Sequence, residues 1–350
     1  MASIGRADLV DLPDYVAGRK IPGAIVLSSN EMPYDPPVGV IAAICEAARG
    51  VNRYPDMGSG ALTRHLAAAL DVDEGMVAVG CGSVALCQQF VQALCASGDE
   101  VIFGWRSFEA YPIVARVGGA RSIPVPLTSG FANDLDAIAA AVTGSTRLVF
   151  ISNPNNPTGT ALGRAAVERF LDSLRDDVVV VLDEAYREFV TDPDIPDGLT
   201  LLDGRPNLAV LRTFSKAYRL AGIRVGYGVA SPPLARLVRK VGIPFSVNAL
   251  AEAAAIASLE ASAELLTRCR AISRERERVR GALVDAGYQV PGSQANFVWL
   301  PLGERTAQFA SHCLQQKIVV RPFADDGARV TIGTPEENDA FLAAARSFDR

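Results

Sequence analysis

Three polar clusters each follow a run of apolar residues. Asn156 lies in the loop after Ile151, Asp183 and Tyr186 follow Leu182, and Thr213, Ser215 and Lys216 follow Leu211. Taken singly, Asp183 reads as a helix cap and Lys216 as a surface lysine. Taken together at the ends of three strands, they read as one ligand site, because open α/β sheets bind ligands outside the carboxyl ends of their strands. A fourth feature suits an anion. Gly80-Cys81-Gly82-Ser83 sits between a short apolar run and a helical pattern. Small residues there let backbone N–H groups approach a phosphate, and the helix dipole adds partial positive charge. The turn is no Walker loop, since no Gly-Lys-Ser/Thr follows. With Ala85 it fits the relaxed Gly-x-Gly-x-x-Gly/Ala fingerprint, which also needs an acidic residue about 20 positions on, at the end of the next strand. Asp99 and Glu100 stand at the start of that strand instead. A plain strand-to-helix turn is the competing reading. Arg224 could add a bidentate phosphate contact.

The elements that must position these residues alternate strand with helix, the sign of an α/β fold with a mainly parallel sheet. Met76 to Val79, Glu100 to Phe103 and Arg147 to Ile151 read as strands. Val178 to Leu182 and Leu208 to Leu211 are unbroken apolar runs, typical of strands buried on both faces. Val84 to Cys95 and Arg164 to Arg175 have helical periodicity. After Pro244 the character changes: Ala249 to Ala286 is alanine-rich and helical, and short strands follow near 296–300, 318–321 and 328–332. The expected organisation is an N-terminal arm over 1–30, a large ligand-binding domain over 31–245 and a smaller α/β C-terminal domain over 246–350.

A chain of 350 residues, 49% hydrophobic and 21% charged, can bury a large core and suits a large domain plus a smaller one. The formal net charge of −5 argues against general nucleic-acid binding. Arg274 to Arg280 mixes Arg with Glu and reads as a solvated helix face. The six cysteines form no C-x-x-C pair, so neither a disulfide framework nor a metal site is expected. Scattered thiols, no signal-peptide pattern and no apolar run near the roughly 20 residues that cross a bilayer point to a cytoplasmic protein with no membrane partner. His65 and His312, in amphipathic segments, read as structural.

The polar clusters carry a resemblance. Asn153-Pro154-Asn155-Asn156-Pro157-Thr158-Gly159, Asp183-Glu184-Ala185-Tyr186, Thr213-Phe214-Ser215-Lys216-Ala217-Tyr218 and Ala221-Gly222-Ile223-Arg224-Val225-Gly226-Tyr227 resemble the fold-type I pyridoxal-phosphate aminotransferases. Asn52-Arg53-Tyr54-Pro55-Asp56, Ser293-Gln294-Ala295-Asn296-Phe297 and Arg329 to Asn338 are similar to the histidinol-phosphate aminotransferase subfamily. Within it, Val79 to Val84 and Phe103 to Glu109 look like the actinobacterial aromatic amino acid aminotransferases. The likeness runs in order from about Leu27 to Asn338.

The resemblance implies a fold-type I α/β transferase and a set of roles. Lys216 would carry pyridoxal 5′-phosphate as a Schiff base and act as nucleophile and general base, helped by cationic neighbours that lower its pKa. Asp183 would keep the pyridine nitrogen protonated. Tyr186 and Asn156 would bond the ring's 3′-oxygen, and Phe108 would stack on its face. The amides of Gly82, Ser83 and Val84, with Thr213, Ser215 and Arg224, would hold the phosphate. Tyr54 would reach that phosphate from a partner subunit, implying a homodimer with shared sites. Arg329 would bind the substrate carboxylate as a fork, with Arg321 nearby and Asn156 beside the substrate. The implied reaction is ping-pong transamination between an aromatic L-amino acid and 2-oxoglutarate. Met32, Val84, Arg219 and Trp105-Arg106 depart from the wider family's habits and bear on the substrate, not on the cofactor set. Histidinol-phosphate transamination is therefore the alternative, since the same arginines could hold a phosphate. Decarboxylation of a phosphorylated amino acid uses the same scaffold. A regulator that senses the cofactor would need a DNA-binding domain, for which no room exists before Leu27.

Overall fold

The computed structural model describes residues 5, 6, 9, 10, 12 and 21–349, so half of the expected arm lies outside the described residues. Among the described residues the strands are β1 (Ile25–Val26), β2 (Val77–Gly80), β3 (Glu100–Trp105), β4 (Arg121–Pro126), β5 (Thr146–Ser152), β6 (Val179–Asp183), β7 (Leu208–Thr213), β8 (Gly226–Ala230), β9 (Phe297–Leu300), β10 (Ile318–Val319), β11 (Arg321–Phe323) and β12 (Gly327–Thr331).

Strands β2 to β8 form one sheet in the order β2-β8-β7-β6-β5-β3-β4. β8 runs antiparallel to both neighbours and every other pairing is parallel. The six remaining strands therefore end at the same edge. Alternation sets the two faces. Val101, Phe103, Phe150, Val181 and Leu211 point to one core, beneath the helices Ser83–Leu94 and Ala110–Val117. Ile102, Val149, Ile151, Val180 and Leu182 point to the other, against Arg164–Ser173. Every residue of β6 and β7 is buried, as their unbroken apolar runs predict.

Register carries the polar residues to that shared edge. Ser152 stands opposite Asp183, Asp183 opposite Leu211, Thr213 opposite Gly226, and Gly226 opposite Gly80. Below them a buried ion network ties β6 to β7. Arg212 bonds Glu184 at 2.8 Å and Asp197 at 2.6 Å, and the Gly198 amide donates to Glu184 at 2.7 Å. Each charge is paired, which is the condition for keeping it out of water.

The C-terminal part packs β11-β12-β9, an antiparallel sheet, against the helices Ser262–Asp285, Thr306–Gln315 and Pro335–Arg346. The last helix opens with a capping box between Thr334 and Glu337. Strand β1 pairs in parallel with β10, so the segment from Ile25 belongs to this core, with Leu27, Met32 and Tyr34 packed in it. The helix Ala249–Glu260 goes the other way: Ala251, Ala254 and Ala255 are buried with Val40, Leu62 and Val225. We therefore propose two units, with the division after this helix instead of at 245/246, and with residues 25–34 counted in the smaller unit. Among the described residues no helix is long and apolar enough to cross a membrane.

One close approach fixes the anion turn. A Cβ on Gly226 would lie 2.6 Å from the Ser83 nitrogen and 3.0 Å from the Gly82 carbonyl carbon. Both contacts are backbone, so neither can swing aside. Gly226→Ala is expected to cost about 1–3 kcal/mol by overpacking, read as a lower urea midpoint with an unchanged slope.

Candidate active site

A cavity of about 230 Å³ opens at the carboxyl edge of the sheet. Of the residues singled out from sequence, Ser83, Val84, Phe108, Asn156, Asp183, Tyr186, Thr213, Ser215, Lys216, Arg224, Arg321 and Arg329 line it. The structure thus brings together clusters far apart in the chain. Gly82 and Tyr54 are not in its wall.

One end is built for an anion. The helix Ser83–Leu94 has no side-chain cap, and Ser83 and Val84 of its first turn face the cavity. Such a terminus offers unpaired N–H groups and the positive end of the dipole. The Ser215 amide donates to Thr213 Oγ1 (3.1 Å), and Arg224 Nη1 donates to Ser215 Oγ (3.1 Å) and to the Ala221 carbonyl (3.0 Å). Gly82 shapes the turn, and its amide donates to the Gly80 carbonyl at 2.8 Å. What it supplies is conformation: φ is +81°, and a Cβ there would lie 2.4 Å from Arg224 Nη2.

Asp183 sits at the end of β6, 4% exposed. It accepts from the Tyr111 hydroxyl at 2.8 Å and the Ala185 amide at 3.2 Å, and no basic side chain pairs with it among the described residues. Burial pushes its pKa up to about 6, against the pull of those two donors. Such a carboxylate has an unmet demand for a proton-bearing partner. Tyr111 was not visible in the sequence, where a tyrosine at helical spacing reads as core. Its ring does stack on Phe150, with centroids 4.7 Å apart, while its hydroxyl turns to Asp183.

Lys216 follows β7 in the loop to β8. Its amine donates to the Ser29 carbonyl at 3.0 Å. Burial first, then the charge of Arg329 and less so of Arg224, pushes its pKa down to about 7, with Glu31 opposing. A neutral amine at ordinary pH is a nucleophile and a base.

The remaining wall comes from the C-terminal unit and the segment after β1. Arg329 on β12 donates to Asn156 Oδ1 and to the Ser28 carbonyl. The Tyr186 hydroxyl accepts from Asn30 Nδ2 at 2.8 Å, and the Asn30 amide donates to Thr331 Oγ1 at 2.9 Å. Asn30 is 1% exposed with φ of +55°. Ser28, Ser29 and Asn30 were not singled out from sequence, although a polar run directly after Leu27 is the signal that could have found them. Arg321 donates to Glu109 at 2.8 Å. Phe108 meets Tyr111 edge-on, with centroids 5.5 Å apart. Tyr54 is 84% exposed and packs on Phe245 at 4.9 Å. His312 bonds the Ala344 carbonyl, away from the cavity. All six cysteines are free thiols.

The pH dependence of stability follows from Lys216. The unfolded chain keeps its proton up to the ordinary 10.5, while the folded chain releases it near 7. Between those values the unfolded state binds more protons, so folding becomes more favourable as pH rises. Unliganded Lys216→Met protein is expected to exceed the wild type in stability most at pH 7, the gap closing toward pH 10.5. Thermal melting of both across that range checks it; a constant gap would assign the effect to packing alone.

The family model described as aminotransferase class I and II matches residues 22–344. A Rhodococcus jostii (strain RHA1) protein named aromatic amino acid aminotransferase is 57% identical over 344 residues, covering 98% of this chain and 96% of its own. Among solved structures, the histidinol-phosphate aminotransferase of Sinorhizobium meliloti in complex with pyridoxal-5′-phosphate is similar with a TM-score of 0.89, at 29% identity, over 98% of this chain and 97% of that one. The L-threonine-O-3-phosphate decarboxylase of Porphyromonas gingivalis gives 0.80 at 26% identity, over 93% and 99%.

Proposed function

The chain belongs to the class I and II aminotransferase family, and from that premise we propose that it uses pyridoxal 5′-phosphate to move the amino group of phenylalanine, tyrosine or tryptophan to 2-oxoglutarate. The observation that carries this reading is one cavity holding a lysine amine of lowered pKa, a buried carboxylate and an anion cradle.

The cavity fits the cofactor by the chemistry of its donors. Asp183 lacks a cationic partner among the described residues, and a protonated ring nitrogen supplies one. The uncapped helix terminus, Ser215 and Arg224 suit a phosphate. Tyr186 and Asn156 suit the ring's oxygen. When bound, the cofactor supplies a ring that takes up the electron pair left on the substrate's α-carbon. The protein's own groups do the rest. Asp183 would hold the proton on the ring nitrogen. Lys216 Nζ would take the α-carbon proton and return it to the cofactor carbon on the other side of the substrate nitrogen. Arg329 binds the substrate carboxylate, in place of contacts it now makes to Asn156 and Ser28. Phe108, in the cavity wall, would flank the cofactor ring.

An aromatic donor is favoured by the name of the 57% identical relative. The histidinol-phosphate and decarboxylase readings rest on much lower identity. The enzyme works as a cytoplasmic homodimer, with exposed Tyr54 reaching the partner's phosphate site.

Rapid mixing of the cofactor-loaded enzyme with phenylalanine should change the cofactor's visible absorption fast, and with histidinol phosphate slowly. The reverse order would make it a histidinol-phosphate enzyme, and carbon dioxide release a decarboxylase. Lys216→Ala should lower turnover by about 10²–10⁴-fold or more, with substrate affinity largely kept; an active variant would remove Lys216 from the reaction.

A further inference from the structure

The substrate end of the cavity holds a second arginine whose charge is already answered. Arg321 on β11 and Glu109, at the start of the helix Ala110–Val117, form an ion pair at 2.8 Å, with side chains only 13% and 32% exposed. Both line the active-site cavity. Both also line an adjoining apolar cavity of about 620 Å³, so the pair stands in the wall between the two. The next basic residue along that wall, Arg106, is likewise paired, with Asp326 at 2.6 Å. The Arg321 guanidinium also lies over the Phe323 ring, 5.6 Å from its centroid.

We propose that Glu109 is a specificity residue: its ion pair with Arg321 makes the side-chain end of the substrate cavity charge-neutral and selects against amino donors that carry a phosphate ester. This rests on the donor reading given above. A phosphate dianion entering here meets the Glu109 carboxylate and must displace it from a charge-assisted hydrogen bond before Arg321 can answer its charge. An uncharged aromatic side chain displaces nothing and can pack against the planar guanidinium as Phe323 does. Rejection thus comes from a repulsive group placed beside an attractive one, not from the absence of a cation.

The test compares cofactor-loaded wild type with Glu109→Gln and Glu109→Asp. Glu109→Gln should raise kcat/KM for histidinol phosphate by about tenfold or more, mainly through KM, and change that for phenylalanine by less than about threefold. It should also make inorganic phosphate a stronger competitor of phenylalanine, a binding readout at the substrate end because the cofactor fills the other cradle. Glu109→Asp, which keeps the carboxylate, should retain the wild-type preference. A wild type that favours phenylalanine, with a substrate ratio and phosphate inhibition unmoved in Glu109→Gln, overturns this inference alone. A wild type that already favours histidinol phosphate overturns the donor reading and this inference together.

Discussion

The Asp183 carboxylate is placed where water cannot solvate it. Its position follows from the sheet: it ends a strand buried on both faces, opposite Ser152 and Leu211. Two donors, the Tyr111 hydroxyl and the Ala185 amide, keep the charge tolerable without cancelling it. What is left over is a local preference for a proton or a cation, and a ligand's ring nitrogen can meet it. The stacked Tyr111–Phe150 pair, the helix carrying Tyr111 and the Glu184–Arg212–Asp197 network beside it all serve to hold that carboxylate still. Within one cavity burial shifts a carboxylate upward and an amine downward, which brings two groups of ordinarily distant pKa close together near neutrality.

The amine depends on a different part of the molecule. Lys216 is in the loop after β7 of the large sheet, but its hydrogen-bond partner, Ser29, and the arginine that most lowers its pKa, Arg329, come from the smaller unit. The large unit supplies the Ser83 helix terminus and the Asp183 carboxylate; the smaller unit supplies Ser29 and Arg329, which set the surroundings of the amine. Chemistry requires the two to be packed together, which is why the contacts of Asn30 and Asn156 across that boundary are buried hydrogen bonds and not surface ones.

Much of this was legible in sequence, for physical reasons that differ by element. Val178 to Leu182 and Leu208 to Leu211 announce central parallel strands because a strand covered on both faces has no polar positions, and the residues after them are then at the ligand edge. Arg121–Pro126 was not recognised, because its two prolines are admissible only on an edge strand, which β4 is. Gly226–Ala230 was not read as a strand either, since its two glycines lower strand propensity, Gly226 serving close approach to the Gly82 turn. The partners of the functional residues were the hidden part. Tyr111 meets Asp183 across 72 positions, and Glu109 meets Arg321 across 212. No local pattern encodes such a pairing; it exists only once the sheet has closed the distance. The hydrogen bond of the Gly82 amide to the Gly80 carbonyl was hidden for a similar reason, since it depends on how the turn closes.

The pairing of β1 with β10 has a consequence for how the protein is made. Residues 25–30 leave the ribosome early, yet their strand partner, Ile318–Val319, and the arginine beside them, Arg329, leave it nearly last. The large sheet, complete by Ala230, has all its strands while those are still unsynthesised. Throughout that interval Lys216 lacks both the Ser29 carbonyl held in place and the Arg329 charge. The surroundings of the amine are therefore complete only once β10 and β12 have been made and have packed against residues 25–30.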